Sequence, residues 1–340
     1  MATRKEFKEL LESIKIPSGT SADEMKVRML PLHSALLQMA PYRLFKYRTC
    51  CDDNISAFEK DQLWLATSDK FNDPFDTLIQ FDKEELSRAL DALSSPDVFA
   101  AFKRYFAAGG QIPPQVSRVV DCEEIARLRG IAKEEVSSDA AKGLGAQEKI
   151  SLQLMVALCV NFLPQIVQRF STVVCLSERI DSILMWSHYA DNHKGFALGY
   201  DLRPFLSPND QGIGLFPVVY DEKRYDANEF IIWLFCSLLQ IPAVNPDLMS
   251  SIKLLLYKSL DWEYEREWRL IRPNNTDLFK GKAEPIIFKP NSIYYGCRIS
   301  DSDRERLHEI AVDKGIEEYV MSVDNAKDSY RVNSVAFTEK

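Results

Sequence analysis

Three glutamates alternate with other residues near the start of residues 261–272, which read DWEYEREWRLIR. On an extended backbone, residues two apart lie on the same side, so Glu263, Glu265 and Glu267 are expected to share one face. Like charges at this spacing repel one another, and a strand used only for packing has no use for them. A site that binds a cation, a ribose hydroxyl or an oxocarbenium-like centre does. We therefore take this segment as the candidate centre of the chemistry.

The same segment also has a purely structural interpretation. It could be a solvated edge strand whose Glu and Arg side chains neutralise each other, since exposed ion pairs contribute at most ~1 kcal/mol. However, Trp262, Tyr264 and Trp268 are interleaved with the charges. Aromatic rings on an edge strand promote aggregation unless they are covered, so the sequence favours the functional interpretation.

A second candidate is the loop FNDPFD at residues 71–76. Asn72 and Asp73 precede a proline, a combination typical of tight turns because short polar side chains bond to the backbone. The loop could present Asn72, Asp73 and Asp76 to a ligand. Taken alone, it is more simply a well-anchored turn, because such turns occur in any fold.

A third candidate is the region 173–202, in which a predicted strand ends at Ser177 and a short helix follows. That helix carries Trp186, His188 and Tyr189, which could form a stacking wall for a base or a nicotinamide. Alternatively, Trp186 and Tyr189 form the core face of the helix, and on its own this is the simpler interpretation. Ser177 is the better functional candidate, although no G-x-S-x-G motif surrounds it to support a hydrolase triad.

Hydrophobic periodicity predicts the elements that position these residues. Residues 1–40 form an N-terminal helical pair, in which Pro31 is expected to kink the second helix or to divide it into two. Further helices are predicted at residues 52–61, 230–239, 246–260 and 302–314. Strands are predicted at residues 42–48, 62–67, 171–176, 195–200, 215–220, 267–271, 285–288, 292–297, 316–323 and 330–337. The predicted fold is α+β: a mostly antiparallel β-sheet core in one domain at 41–340, with a helical insertion at 82–170.

Bulk composition narrows the class of protein. The 340 residues are 46% hydrophobic and 11% aromatic, enough for a large core, and the net charge of −8 argues against a broad duplex-DNA surface. The longest apolar runs are shorter than the ~20 residues that a membrane span needs. Seven irregularly spaced cysteines and a charged N-terminus without a signal-like apolar region predict a cytoplasmic protein with reduced thiols and no structural zinc.

Three motifs together resemble a bacterial and phage-associated family catalogued as a domain of unknown function (number twenty-nine seventy-one). They are FNDPFD, LSERIDSILMWSHYADNHKGFALGY and WEYEREWRLI, in that order. The resemblance runs from about residue 42 to about residue 323, and residues 82–169 match it poorly. It implies no established reaction. The associations of the family imply an effector in a toxin or phage-defence setting.

A second, weaker resemblance is to mono-ADP-ribosyltransferases of the arginine-serine-glutamate type. Such enzymes carry an arginine on the first core strand, a serine after a second strand and a later Glu-x-Glu. Here Arg48 (or Arg43), Ser177, Glu265 and Glu267 follow that order. The resemblance implies that the arginine binds NAD phosphate and that Ser177 orients the nicotinamide ribose. It further implies that Glu267 contacts the ribose and stabilises the transition state, while Glu265 activates the acceptor.

This chain departs from that pattern at two points. Leu176 and Glu178 flank the serine, in place of a Ser-Thr-Ser type pattern. Which of Arg43, Lys46 and Arg48 faces a site is also open.

The leading hypothesis is an ADP-ribosyltransferase-like enzyme that consumes NAD. Its predicted catalytic residues are Glu265, Glu267 and Ser177. Its predicted cofactor-binding residues are Arg48, Lys46, Asn72, Asp73, Trp186, His188 and Tyr189. One alternative is a metal-dependent nuclease or phosphoesterase that holds Mg²⁺ with Asp73, Asp76, Glu265 and Glu267. Another is a sensor that binds a nucleotide or a protein without turnover.

Overall fold

A ten-stranded sheet organises the protein. The computed structural model describes residues 2–17, 19–78, 80–82, 168, 171–206, 213–231, 247–273, 283–323, 330 and 332–338. The helices used below span Arg4–Ser13 (α1), Ala22–Met39 (α2), Asp52–Glu59 (α3), Ile183–Tyr189 (α4), Ser250–Leu254 (α5) and Asp301–Lys314 (α6). The strands span Leu44–Arg48 (β1), Gln62–Thr67 (β2), Ser171–Ser177 (β3), Phe196–Tyr200 (β4), Gly214–Pro217 (β5), Val219–Asp221 (β6), Tyr257–Ser259 (β7), Glu267–Pro273 (β8), Glu284–Ile287 (β9), Ser292–Tyr295 (β10), Glu317–Val323 (β11) and Val332–Ala336 (β12).

The sheet is mostly antiparallel, as the sequence predicts. Its main path runs β12-β11-β10-β4-β1-β3-β2-β9, and β8 joins β3 to β5 beside this path. In the described residues, parallel pairing occurs between β10 and β11, and between β6 and β7, which form a separate two-stranded ribbon. The predicted α+β class is therefore confirmed.

Strand β3 is where the sheet divides. Along one edge, β8 pairs with all of β3, from Ser171 to Ser177. Along the other edge, β2 pairs with the beginning of β3 at Thr172 and Val173, whereas β1 pairs with its end at Ser177. Between these two contacts, β1 and β2 separate and leave Cys175 unpaired on that side. The cavity of the candidate site opens at this gap in the sheet.

Helices α1 and α2 cover the sheet through apolar side chains at helical spacing. Phe7 and Leu11 of α1 and Leu32 and Leu36 of α2 are fully buried in the same hydrophobic cluster as the strands. A capping box at Thr3 begins α1, since Thr3 and Glu6 satisfy each other's backbone N–H groups. None of the described helices is both long enough and apolar enough to cross a membrane.

Pro31 lies inside one continuous helix, so of the two alternatives predicted for it, the division of α2 is wrong. The structure also corrects two other local predictions. Residues 246–260 are not one helix, since α5 covers only five of them and β7 follows at Tyr257–Ser259. Residues 263–267 are not extended, because Leu260–Glu265 forms a 3-10 turn before β8 begins. The helix predicted at 230–239 and the insertion predicted at 82–170 lie almost entirely outside the described residues.

The polar face of α1 fastens the helix to the strands around the glutamate segment. Arg4, Lys8 and Glu12 lie at i, i+4 and i+8, so they share one face. Arg4 donates to the carbonyls of Val218 (2.8 Å) and Glu267 (3.1 Å) and forms an ion pair with a glutamate between β3 and α4. Lys8 pairs with β6 and Glu12 accepts from the β7 tyrosine. One helical face therefore contacts β6, β7, β8 and the segment between β3 and α4.

Replacing Arg4 by methionine should lower the free energy of unfolding by about 2 kcal/mol, because the buried Val218 carbonyl loses the Arg4 donor and Glu178 loses one of its cations. Urea denaturation measures the difference. Lys5→Met is the matched control: it removes the same charge from an exposed position of the same helix and should stay within about 0.5 kcal/mol of the wild type. Equal losses in the two variants would contradict the role assigned to Arg4.

Candidate functional site

A cavity of about 330 Å³ opens where β1 and β2 separate along β3. Strands β1, β2 and β3, the FNDPFD loop, helix α4 and the glutamate segment all contribute to its wall. Its lining residues are Phe45, Lys46, Tyr47, Trp64, Ala66, Lys70, Phe71, Asn72, Asp76, Val173, Cys175, Leu176, Ser177, Met185, Tyr189, Lys258, Glu265 and Glu267. The cavity is thus aromatic on its sides and acidic at one end.

Lys258 lies at the centre of the acidic end. Its ammonium is 2.6 Å from Glu265, 3.0 Å from Glu267 and 3.8 Å from Asp76. All four side chains are buried, and the Trp262 ring lies 4.9 Å from the same ammonium. One cation therefore holds three carboxylates that come from two distant parts of the sequence.

Arg269 completes this ionic cluster, which we define as Asp76, Lys258, Glu265, Glu267 and Arg269. Its guanidinium forms a two-bonded fork with Asp76, and its Nε donates to Glu267 at 2.8 Å. Arg269 is fully buried. A buried charge is costly unless it is paired and hydrogen bonded, so this contact fixes the FNDPFD loop against β8.

A local break in the backbone directs both glutamates to the same ammonium. The 3-10 turn Leu260–Glu265 ends at Arg266, which has φ 48° and ψ 48°, and β8 starts at the next residue. Glu178 stabilises this left-handed residue by binding its guanidinium and by accepting from the Trp268 indole. Glu265 and Glu267 therefore converge through a turn, not through strand alternation. Glu263, the third predicted carboxylate, points outward and is exposed.

The pKa values of the two glutamates are shifted in opposite directions. Burial alone would raise the pKa of Glu267, but Arg269 and Lys258 hold it well below the ordinary value. Burial and the neighbouring charge of Glu267 raise the pKa of Glu265, and Lys258 and Tyr189 only partly offset them. Pairs of carboxyl groups whose pKa values are pushed apart are typical of acid–base and glycosyl-transfer sites.

Glu265 is connected to the protein surface by a chain of two hydrogen bonds. The carboxylate oxygen of Glu265 that does not bind Lys258 accepts from the Tyr189 hydroxyl (2.6 Å). That hydroxyl in turn accepts from the side chain of Asn72 (3.1 Å), which is exposed. Glu267 lies deeper, where both of its oxygens accept from the two cations. A ligand entering past Asn72 would meet Glu265 first.

Ser177 lines the cavity, but its hydroxyl is already used by the backbone. It donates to the carbonyl of Glu265 (2.6 Å) and accepts from the N–H of Arg179 (3.1 Å). This pair of bonds ties the end of β3 to the 3-10 turn. The role that the geometry supports for Ser177 is therefore to position Glu265.

Six of the ten residues predicted for the site line one cavity: Lys46, Asn72, Ser177, Tyr189, Glu265 and Glu267. The structure places the other four elsewhere. Arg48 binds Asn54 (2.9 Å) and is not part of the cavity wall. Of the two basic residues predicted on β1, Lys46 is the one that lines the cavity. Asp73 accepts from the Phe75 N–H and lines a neighbouring cavity.

Trp186 and His188 also lie outside the cavity wall. Trp186 is fully buried, donates to the Ile180 carbonyl (2.7 Å) and contacts the Tyr47 ring edge-on, which is the core role that the alternative interpretation gave it. His188 is exposed and contacts the rings of Tyr189 and Tyr264. Neither residue forms part of a stacking wall inside the cavity.

Sequence reasoning missed Lys258 and Arg269 as functional candidates. Each directly follows an aromatic residue, as in YKS and WRL. A basic residue in such a setting, close to several glutamates, is a signal of a buried ion pair. Within the described residues, no group of three or more His, Cys, Asp or Glu side chains is arranged to hold a metal ion.

Comparison with known proteins identifies the family of one segment. Residues 185–270 match the sequence model of a family described as "Protein of unknown function (DUF2971)". Neither the curated proteins nor the solved structures gave a match. The family expected from the motifs is thereby confirmed over this segment, which contains Tyr189, Lys258, Glu265, Glu267 and Arg269.

Replacing Glu267 by glutamine should lower the free energy of unfolding at pH 7 by about 3–5 kcal/mol, because the two buried cations lose a counter-charge. Glu265→Gln should cost at most about 1 kcal/mol, since Lys258 keeps two carboxylates. Urea denaturation of both variants from pH 7 to pH 3 tests this difference.

The pH dependence of the two variants has a defined sign. The folded pKa of Glu267 is depressed, so its stabilisation is present above the unfolded value of about 4.3 and is lost as the pH falls through the folded pKa. The wild type and Glu267→Gln should therefore converge in acid. Glu265 has a raised pKa, so Glu265→Gln should gain stability relative to the wild type as the pH rises above about 4.3. Parallel stability curves for the two variants would contradict the assignment.

Proposed function

We propose that this protein is an ADP-ribosyltransferase-like enzyme that cleaves the nicotinamide–ribose bond of NAD. The observation that carries the proposal is the pair Glu265 and Glu267, which bind one buried ammonium at the end of an aromatic-lined cavity. Cleavage of an N-glycosidic bond develops positive charge on the ribose. A fixed carboxylate beside that ribose stabilises the oxocarbenium-like transition state.

The size and lining of the cavity suit part of a dinucleotide. Its volume of about 330 Å³ lies near the lower end of the ~300–1,000 Å³ typical of ligand sites, so it would enclose the nicotinamide–ribose end only. The rings of Tyr47, Trp64 and Phe71 offer flat surfaces for the nicotinamide. The rest of the cofactor would extend through the opening past Asn72.

Within this proposal, Glu265 is the catalytic residue. It is the carboxylate nearer the opening, and one of its oxygens binds a neutral phenol instead of a cation. Glu267 is held by Arg269 and Lys258 and acts as a fixed negative charge that positions Lys258. Glu265 thus takes the transition-state role that the resemblance implies for Glu267.

The metal-dependent alternative has less support. It needs Asp76, Glu265 and Glu267 to be free for a divalent cation, whereas the Lys258 ammonium lies within 4 Å of all three. Asp73, its fourth predicted ligand, lines the neighbouring cavity. A sensor that binds a nucleotide without turnover would use the same cavity. Measuring both NAD binding and nicotinamide release distinguishes such a sensor from an enzyme.

Replacing Glu265 by glutamine should lower kcat for nicotinamide release about 10²–10³-fold, because the transition state loses its nearest negative charge. Nicotinamide release from NAD, followed by chromatography, measures the effect. Glu263→Gln is the matched control: its exposed carboxylate lies 3.9 Å from Arg266, so kcat should stay within about twofold. Thermal stabilisation of the wild type by NAD without any nicotinamide release would favour the sensor. If NAD causes neither thermal stabilisation nor nicotinamide release, the proposal is wrong.

The pH profile of the reaction should report the ionisation of Glu265. Activity should rise with pH through a pKa above the ordinary glutamate value, because the carboxylate is the active form. Since the Tyr189 hydroxyl lowers the pKa of Glu265, Tyr189→Phe should move this rise to higher pH. Tyr47→Phe removes a hydroxyl from the same cavity, but that hydroxyl donates to the Arg179 carbonyl, so its profile should match the wild type. An unshifted profile in Tyr189→Phe would contradict the role of Glu265.

A further inference from the structure

The cavity wall contains two lysines in opposite environments, of which Lys258 is buried and Lys46 is partly exposed. Lys258 lies within 4 Å of three carboxylates. Lys46 donates one hydrogen bond, to the carbonyl of Cys175 at 3.0 Å, and among the described residues no carboxylate lies within 4 Å of its Nζ. That carbonyl belongs to the part of β3 that neither β1 nor β2 pairs on this side. The charge of Lys258 is compensated locally, whereas that of Lys46 is not.

This difference shifts the pKa values of the two lysines in opposite directions and makes Lys46 the more readily deprotonated of the two. Burial lowers the pKa of Lys46, and the charge of Arg48 lowers it further, against the opposing influence of the Cys175 thiol, Glu267 and Glu265. Burial also acts on Lys258, but the three carboxylates keep its pKa above the ordinary value. A neutral amine can donate to the Cys175 carbonyl and still present its lone pair to the cavity. Desolvated lysines of this kind are the usual amine nucleophiles of enzymes.

We propose that Lys46 is a nucleophile that condenses with a small aldehyde or ketone bound in this cavity and forms an imine. This activity goes beyond the proposed NAD chemistry and does not depend on it. The rings of Trp64 and Phe71 line the same cavity and suit a flat, conjugated carbonyl compound. Its volume of about 330 Å³ admits a molecule of that size.

The step balances with the groups that line the cavity. The Nζ lone pair forms a bond to the carbonyl carbon, and the electron pair of the carbonyl moves to its oxygen. Transfer of a proton from nitrogen to that oxygen gives a neutral carbinolamine. Glu265, whose pKa is raised, then delivers a proton to the hydroxyl, which leaves as water. The products are a protonated imine on Lys46, one water molecule and the Glu265 carboxylate.

Trapping with pyridoxal and cyanoborohydride tests the proposal on the full chain. Hydride from cyanoborohydride reduces the imine to a stable secondary amine, which peptide mass spectrometry locates and quantifies at each lysine. At pH 7 and low pyridoxal, Lys46 should react at least about tenfold faster than Lys258, since the neutral fraction changes tenfold per pKa unit. Lys70 at the cavity rim is the exposed comparison within the same chain.

The variants Lys46→Arg and Lys46→Met should lose the trapped adduct while the labelling of Lys70 is unchanged. Arginine keeps a charged donor for the Cys175 carbonyl, so its fold is expected to persist, and circular dichroism checks it. Labelling of Lys46 in the wild type no faster than that of Lys70 would overturn the proposal. This experiment detects a covalent adduct by mass spectrometry and does not depend on NAD turnover. The imine proposal and the transferase proposal can therefore fail independently.

Discussion

A fully buried guanidinium is the constraint on which the site depends. Arg269 has no exposed surface, and the energetic penalty of burying its charge is offset only if carboxylates surround it. Asp76 and Glu267 meet this requirement from opposite ends of the sequence. The contact fastens the FNDPFD loop to β8 and so closes one end of the cavity. Together with the hydrogen bonds from Asn72 to Tyr189 and from Tyr189 to Glu265, this contact positions the loop relative to Glu265.

The balance of charges explains why the two glutamates behave differently. The ionic cluster contains three carboxylates and two cations, so one negative charge is in excess when all five groups are ionised. Glu267 contacts both cations and keeps its charge. Glu265 contacts one cation and a phenol, so the excess falls on it. Of the two glutamates, Glu265 is thereby the one that more readily takes up a proton.

The sequence predicts much of the fold because its strands follow clear hydrophobic patterns. Strands such as Gln62–Thr67 and Ser171–Ser177 and helix α6 begin and end within a residue of their predicted positions. The prediction of an extended backbone at 263–267 was wrong because tertiary contacts override local alternation there. Arg266 adopts a left-handed conformation and is bound by Glu178, which lies just after β3, and nothing in the local sequence indicates this contact.

The candidate site was predictable in part for a related reason. Carboxylates, a serine and an aromatic helix are visible as residue types, so Glu265, Glu267, Ser177 and Tyr189 were found. Which β1 cation enters the cavity depends on where β1 separates from β2 along β3, a tertiary property that selects Lys46 over Arg48. Lys258 was missed because its partners are set by the turn that follows it.

The central claim is that two neighbouring glutamates bound to one ammonium have pKa values shifted in opposite directions. Nuclear magnetic resonance titration of the side-chain carboxyl carbons, with Glu265→Gln and Glu267→Gln used to assign the signals, tests it most directly. The account predicts that Glu265 titrates above the ordinary glutamate pKa while Glu267 stays ionised well below it. Two carboxyl signals that titrate together near the ordinary value of about 4.3 would contradict it.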